Sequence, residues 1–262
     1  MRIARFAHAG GMSFGVVEGT GTSSESLTVG QLEGHPFGNL TFTGQRWALA
    51  DVRLLAPILP SKIVCVGRNY ADHAKELGND VPTEPLLFLK PSTAIIGPAE
   101  TINLPPQSHQ VEHEAELAVV IGLPGARRVD RAAAKRAIFG YTAANDVTAR
   151  DLQRKDVQFT RAKSFDSFCP IGPWIETEPG DVANLEVRCE VNGEVRQLAR
   201  TADMLFDVPT LVSYISHVMT LLPGDVILTG TPAGVSEITK GDSVAVTIEN
   251  IGTLVNKVMP HE

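Results

Sequence analysis

VEHEAELAVVIG, residues 111–122, alternates polar and apolar side chains over its middle and then runs fully apolar, as a strand does on entering a core. On a strand, side chains two apart share a face, with about 6.7 Å between their Cα atoms. Glu112, Glu114, Glu116, Ala118 and Val120 then share one face, and Ala115, Leu117, Val119 and Ile121 form the core face. Neighbouring carboxylates on a half-buried face repel each other unless a cation or hydrogen-bond donors neutralise them. The overlapping pattern His109-x-x-Glu112-His113 would bind zinc only on a helix, where residues four apart share a face. Pro105 and Pro106 just upstream, and the strand downstream, argue against that helix.

Working outward, SKIVCVG (61–67) and LLFLK (86–90) read as short buried strands. NYADHAKELG (69–78) is a helix-length polar segment closed by Gly78. Asp130 caps a helix over 130–140, FGYTAAND (139–146) is strand-like, and Thr148-Ala-Arg-Asp151 fits a capping box opening a short helix. Asn192-Gly193 between alternating runs predicts a type I′ hairpin over 184–199. The amphipathic pattern over 207–222 places Leu211, Val212, Ile215, Val218, Met219 and Leu222 on one stripe. PGDVILTG (223–230) and KGDSVAVTIENIG (240–252) are turn-then-strand units. Residues 1–55, with short apolar pieces and the polar tract GTGTSSES (19–26), predict β-hairpins joined by an extended linker at 54–60. The fold class expected is α+β, strand-rich, with few helices.

The 262 residues suffice for one or two domains and a large core. A net charge of -7 and a pI near 5.5 argue against a nucleic-acid partner. Cys65, Cys169 and Cys189 are odd in number and far apart, which supports neither a disulfide framework nor a zinc site. No apolar run approaches the roughly 18 residues of a membrane span, and no signal-peptide core is present, so a cytoplasmic protein is expected. Gly11-Met-Ser13-Phe-Gly15 matches a nucleophile elbow, but flanking glycines make it a hairpin turn rather than a strand-to-helix corner.

Other residues carry chemistry. Glu114 and Glu116 could hold a hard divalent cation given further oxygen ligands, and Asp146, at the end of an apolar strand, is a candidate; its alternative is a helix cap beside Thr148. His73 and Glu76, three apart on a helix, could form a water-activating pair, although exposed His–Glu pairs are common. Lys163, among Phe159, Phe165 and Phe168, needs an anionic partner, either a protein carboxylate or a substrate. Arg150 lies four residues after Asp146. The turn Leu228-Thr-Gly-Thr231-Pro could cradle a carboxylate or be a plain turn.

Six blocks in order, GRNYADHAKEL (67–77), FLKPSTAIIGP (88–98), EHEAELAVVIG (112–122), GYTAANDVTARDLQ (140–153), AKSFDSFCPIGP (162–173) and ILTGTPAGV (227–235), resemble the fumarylacetoacetate hydrolase family. The resemblance implies a mixed β-roll catalytic domain over 58–262, a small N-terminal β domain over 1–57, and a homodimer. It also implies Mg²⁺ or Mn²⁺ held by Glu114, Glu116 and Asp146, with Lys163 as the active-site lysine. His73 and Glu76 match a dyad on a lid segment. Arg150, Gln153 and Thr231 match substrate-lining positions; Tyr70, grouped with them, and Lys90 lie in matching blocks. The activity implied is metal-dependent hydrolysis of a C–C bond in an acylpyruvate-type 2,4-dioxo acid, through an enolate stabilised by the metal. Oxaloacetate decarboxylation and 2-hydroxyhepta-2,4-diene-1,7-dioate isomerisation are alternatives on the same site, and an inactive metal-binding module is an alternative of another class. The partner expected is a small 2-oxo acid, with no nucleic acid and no membrane.

Overall fold

The computed structural model describes residues 1–20 and 26–260, so most of the polar tract GTGTSSES lies outside the described residues. Strand-rich architecture dominates, as the sequence pattern predicts. One large sheet runs in the order Phe42–Ala48, Thr28–Leu32, Gly11–Glu18, Arg2–His8, Cys169–Glu176, Ile138–Asn145, Ala115–Ile121, Val226–Leu228, Ile63–Gly67 and Leu86–Lys90. A second sheet orders Glu194–Arg200, Glu186–Val191, Ser243–Ile248, Gly252–Pro260 and Thr101–Leu104. The N-terminal hairpins continue the large sheet: Arg2 and Ile3 pair with Glu176 and Ile175. Overlapping the start of the expected linker, Arg53–Leu55 pairs with the first strand.

The central strand sorts its side chains as its alternation requires. Ala115, Leu117, Val119 and Ile121 join the core shared by both sheets and the helix Val208–Val218. Ala118 and Val120 enter a second core, with Ile3, Val16 and Leu32 of the N-terminal strands. Asn192 and Gly193 both have positive φ, 53° and 81°, as a type I′ hairpin demands.

Four local expectations are corrected. The 111–122 segment is two strands rather than one: Val111–Glu112 pairs with Thr148–Ala149, and the chain breaks at His113 and Glu114 before Ala115–Ile121 begins. Thr148 therefore sits in a strand and caps nothing; the helix Arg150–Lys155 has no side-chain cap, and Asp151 accepts instead from Ser108 Oγ and His109 N. The Asp130-capped helix ends at Arg136, because strand pairing begins at Ile138. The helix expected over 207–222 ends at Val218; Met219 turns extended, and Val218 and Leu222 lie 60% and 48% exposed, off the buried stripe.

Candidate active site

Antiparallel register builds the site. Ala115 lies opposite Asn145, so Glu114, just before one strand, meets Asp146, just after the other. The backbone closes this corner: Asp146 N donates to Glu114 O at 2.8 Å, and Glu114 N donates to Asn145 Oδ1 at 2.9 Å. Glu116 stands two residues along the same face. One carboxylate oxygen each from Glu114, Glu116 and Asp146 lies within 4.8 Å of the others, and all three residues are buried.

Three buried cations answer this negative charge. Lys163, at the end of the short helix Thr160–Lys163, donates to Glu114 Oε2 at 2.7 Å and to Asp146 Oδ2 at 2.8 Å. Lys90, ending its strand, donates to Asp146 Oδ1 at 2.6 Å. Arg150 donates to Glu112 Oε2 at 2.7 Å, to Glu114 Oε1 and to Gln153 Oε1. Burial pushes the Glu114 carboxyl up, but Lys163 and Arg150 outweigh it and hold it well below the usual carboxylate range. Burial would lower Lys163, yet Asp146 and Glu114 raise it, so it carries its proton.

Glu116 differs. Among the described residues no ion pair reaches it, and its Oε2 accepts from Gly230 N at 2.6 Å. Burial and the charges of Asp146 and Glu114 push its carboxyl well above the usual range. A crowded all-oxygen cluster with one carboxylate lacking a cation fits a hard divalent ion such as Mg²⁺ or Mn²⁺.

These groups open into a cavity of about 220 Å³, whose wall also includes His73, Gln153, Thr231, Phe88 and Phe159. His73, on the helix Ala71–Glu76, is 4% exposed, and its Nδ1 meets Glu76 Oε2 at 3.2 Å. Glu76 stands behind His73 rather than in the cavity wall, and its other oxygen accepts from Gly234 N at 3.0 Å. Thr231 Oγ1 donates to Ala115 O at 2.9 Å. Tyr70, expected with the substrate-binding residues, lines a neighbouring cavity with Ala71, Asp72, Leu198 and Pro232. Its buried hydroxyl makes no hydrogen bond to the described residues. Arg150 lines the cavity, but its guanidinium is held by the three protein oxygens above.

Sequence reasoning overlooked Arg68. This residue lines the cavity with its backbone in the left-handed region, φ 58°, an uncommon conformation for a side chain of this size. Its successor explains the conformation: Asn69 is fully buried and donates to Phe206 O and Thr229 O while accepting from Phe206 N. The one available signal was the GRN sequence directly after a strand. The two sequence decoys are also settled. His109 is exposed whereas His113 is buried against Gln197 and Ser236, so they share no metal site. Ser13 meets His8 Nε2 at 3.1 Å, but Gly10 N donates to His8 Nδ1, so a neutral ring carries its proton on Nε2 and cannot act as base toward Ser13.

The family model for the fumarylacetoacetate (FAA) hydrolase C-terminal domain matches residues 62–259. The chain belongs to the fumarylacetoacetate hydrolase family. A second model, "Rv2993c-like, N-terminal", matches residues 1–57. Within the fumarylacetoacetate hydrolase family, the chain is similar to a Mycobacterium marinum structure described as 2-hydroxyhepta-2,4-diene-1,7-dioate isomerase. The two are 53% identical with a TM-score of 0.93, over 99% of this chain and 98% of that one. It is 40% identical to Oxaloacetate tautomerase FAHD2A, mitochondrial, of Bos taurus, over 99% of this chain and 92% of that protein. A maleylpyruvate hydrolase from Sphingobium sp. SYK-6, solved with manganese (II) and pyruvate, aligns at 32% identity and TM-score 0.80, covering both chains fully. Fumarylacetoacetate hydrolase family members are enzymes. No described helix is long and apolar enough to cross a membrane.

Proposed function

We propose that this enzyme is a divalent-metal-dependent hydrolase that cleaves acylpyruvate-type 2,4-dioxo acids to pyruvate and a carboxylic acid. The observation that carries this reading is that His73, backed by Glu76, lines the same cavity as the carboxylate cluster and Lys163. Glu114, Glu116 and Asp146 would hold Mg²⁺ or Mn²⁺, which when bound supplies Lewis acidity toward the oxygens of a 2-oxo acid. Glu76 accepts from His73 Nδ1, leaving Nε2 to take a proton from water as the water oxygen adds to the C4 carbonyl. The C3–C4 bond then breaks, its electron pair passes to C3, and protonation there gives pyruvate. The Lys163 ammonium meets the negative charge that develops on the substrate. Phe88 and Phe159, packed edge to face 5.6 Å apart, keep part of the wall dry.

A second reading rests on the relatives described as isomerase and oxaloacetate tautomerase. Enolisation needs the same cation site and a base but no attacking water. The test is a panel of acetylpyruvate, fumarylpyruvate, oxaloacetate and 2-hydroxyhepta-2,4-diene-1,7-dioate, each with Mg²⁺, Mn²⁺ and EDTA. Pyruvate release from the acylpyruvates, lost in EDTA, is expected. Turnover of only the last two would replace hydrolysis by enolate chemistry, and silence throughout would overturn both.

Arg68 and Arg154 give the cavity wall positive charge. Arg68→Ala is therefore expected to raise KM for fumarylpyruvate, which carries a second carboxylate, by roughly tenfold, the effect of one lost charged hydrogen bond. Acetylpyruvate, lacking that group, should be little affected. Equal effects on both in steady-state kinetics would remove this role.

A further inference from the structure

Gln197 is 1% exposed on an edge strand whose neighbouring side chains, Arg196 and Leu198, face solvent. Cys189 lies opposite Gln197 and Glu190 opposite Val195, so Arg196 is an extra residue, a bulge that re-aims the next side chain inward. There the amide uses its full capacity of four hydrogen bonds. Its oxygen accepts from His113 Nδ1 and Ala115 N, both at 3.0 Å; its nitrogen donates to Thr231 Oγ1 and Pro232 O, both at 2.7 Å. The network fixes its own orientation, because Thr231 gives its proton to Ala115 O and so must accept from Gln197.

The two residues pinned on the oxygen side flank Glu114, at the break between the two strands. The loop pinned on the nitrogen side holds Glu116 through Gly230 N and Glu76 through Gly234 N. That loop rests directly on the bulge: Gly234 has φ +99°, and a Cβ there would lie 2.1 Å from the Arg196 carbonyl oxygen.

We infer that Gln197 is a positioning residue that sets the register between the carboxylate strand and the 229–234 loop, and so the placement of Glu114 and Glu116 relative to His73 and Glu76. Only its effect on metal affinity rests on the reading of the triad as a cation site. Gln197→Met keeps the length of the side chain and removes all four bonds. With the variant shown to be folded by circular dichroism, amide exchange should accelerate on the order of tenfold at Ala115–Glu116 and at 230–234, but not in strand 186–191. Mn²⁺, titrated calorimetrically, should bind about 10- to 100-fold more weakly. Gln197→Glu, with its carboxylate ionised, keeps both accepted bonds and loses the donated ones, so faster exchange should be confined to 230–234; this variant decides the matter if Gln197→Met does not fold. Exchange at both segments equal to the unaltered protein would overturn the inference. Failure of the unaltered protein to bind Mn²⁺ would instead overturn the metal reading, leaving exchange to judge Gln197.

Discussion

Asp146→Ala is expected to abolish divalent-cation binding and to destabilise the protein by about 3–5 kcal/mol. Asp146 is 1% exposed and receives two ammonium groups, Lys90 Nζ at 2.6 Å and Lys163 Nζ at 2.8 Å. Among the described residues, its removal leaves Lys163 hydrogen-bonded to Glu114 and Lys90 to the Val147 carbonyl at 3.2 Å, both buried. Breaking a buried pair costs more than the pair contributes, because the stranded charge cannot be resolvated. For a chain of this size the melting temperature should fall on the order of 10 °C. Asp146→Asn keeps the shape and a hydrogen-bond acceptor, so it should fall less while still losing the cation. A thermal melt of Asp146→Ala within about 2 °C of the unaltered protein would contradict the electrostatic account of this corner.

His73→Ala is expected to lower kcat/KM for acylpyruvates by 10²- to 10⁴-fold, the usual contribution of a positioned general base. Mn²⁺ affinity should not change, since His73 is not one of the clustered carboxylates. Because enolisation also needs a base, oxaloacetate tautomerisation in the same variant reads whether His73 serves water attack alone, in which case it survives, or both reactions, in which case it falls with hydrolysis. Glu76→Gln should give a smaller fall, because the amide can still orient the ring but no longer stabilises its charged form. Unchanged acylpyruvate turnover in His73→Ala, measured as pyruvate release, would remove the dyad from the mechanism.

Period-two alternation made the central strand and its two faces legible, because burial on both sides leaves that register little freedom. The proximity of Glu114, Glu116 and Asp146 was suggested by residue type and strand-end position, and antiparallel register supplied the contact. Three features were not legible. The break at His113 and Glu114 arises from pairing with Thr148–Ala149, a contact across more than thirty residues that no local pattern encodes. The Asn69 hub that forces Arg68 into the left-handed region depends on chain more than a hundred residues away. Gln197 reads in sequence as one more polar residue on an exposed strand, and only the bulge at Arg196 turns it inward. Over 207–222 the apolar spacing continues past Met219, where the backbone turns extended, so periodicity alone overstates the length of the helix.

The buried acidic balance is where sequence and structure meet. Glu112, Glu114, Glu116 and Asp146 face Lys90, Lys163 and Arg150, and Glu116 is the carboxylate that none of these cations touches. Calorimetric titration of Mn²⁺ into the metal-free protein, beside Glu116→Gln, tests the claim that this cluster is a divalent-cation site. One ion per chain in the unaltered protein, with affinity lost in the variant, is the result expected. No binding to the unaltered protein, or equal binding to both, would contradict it.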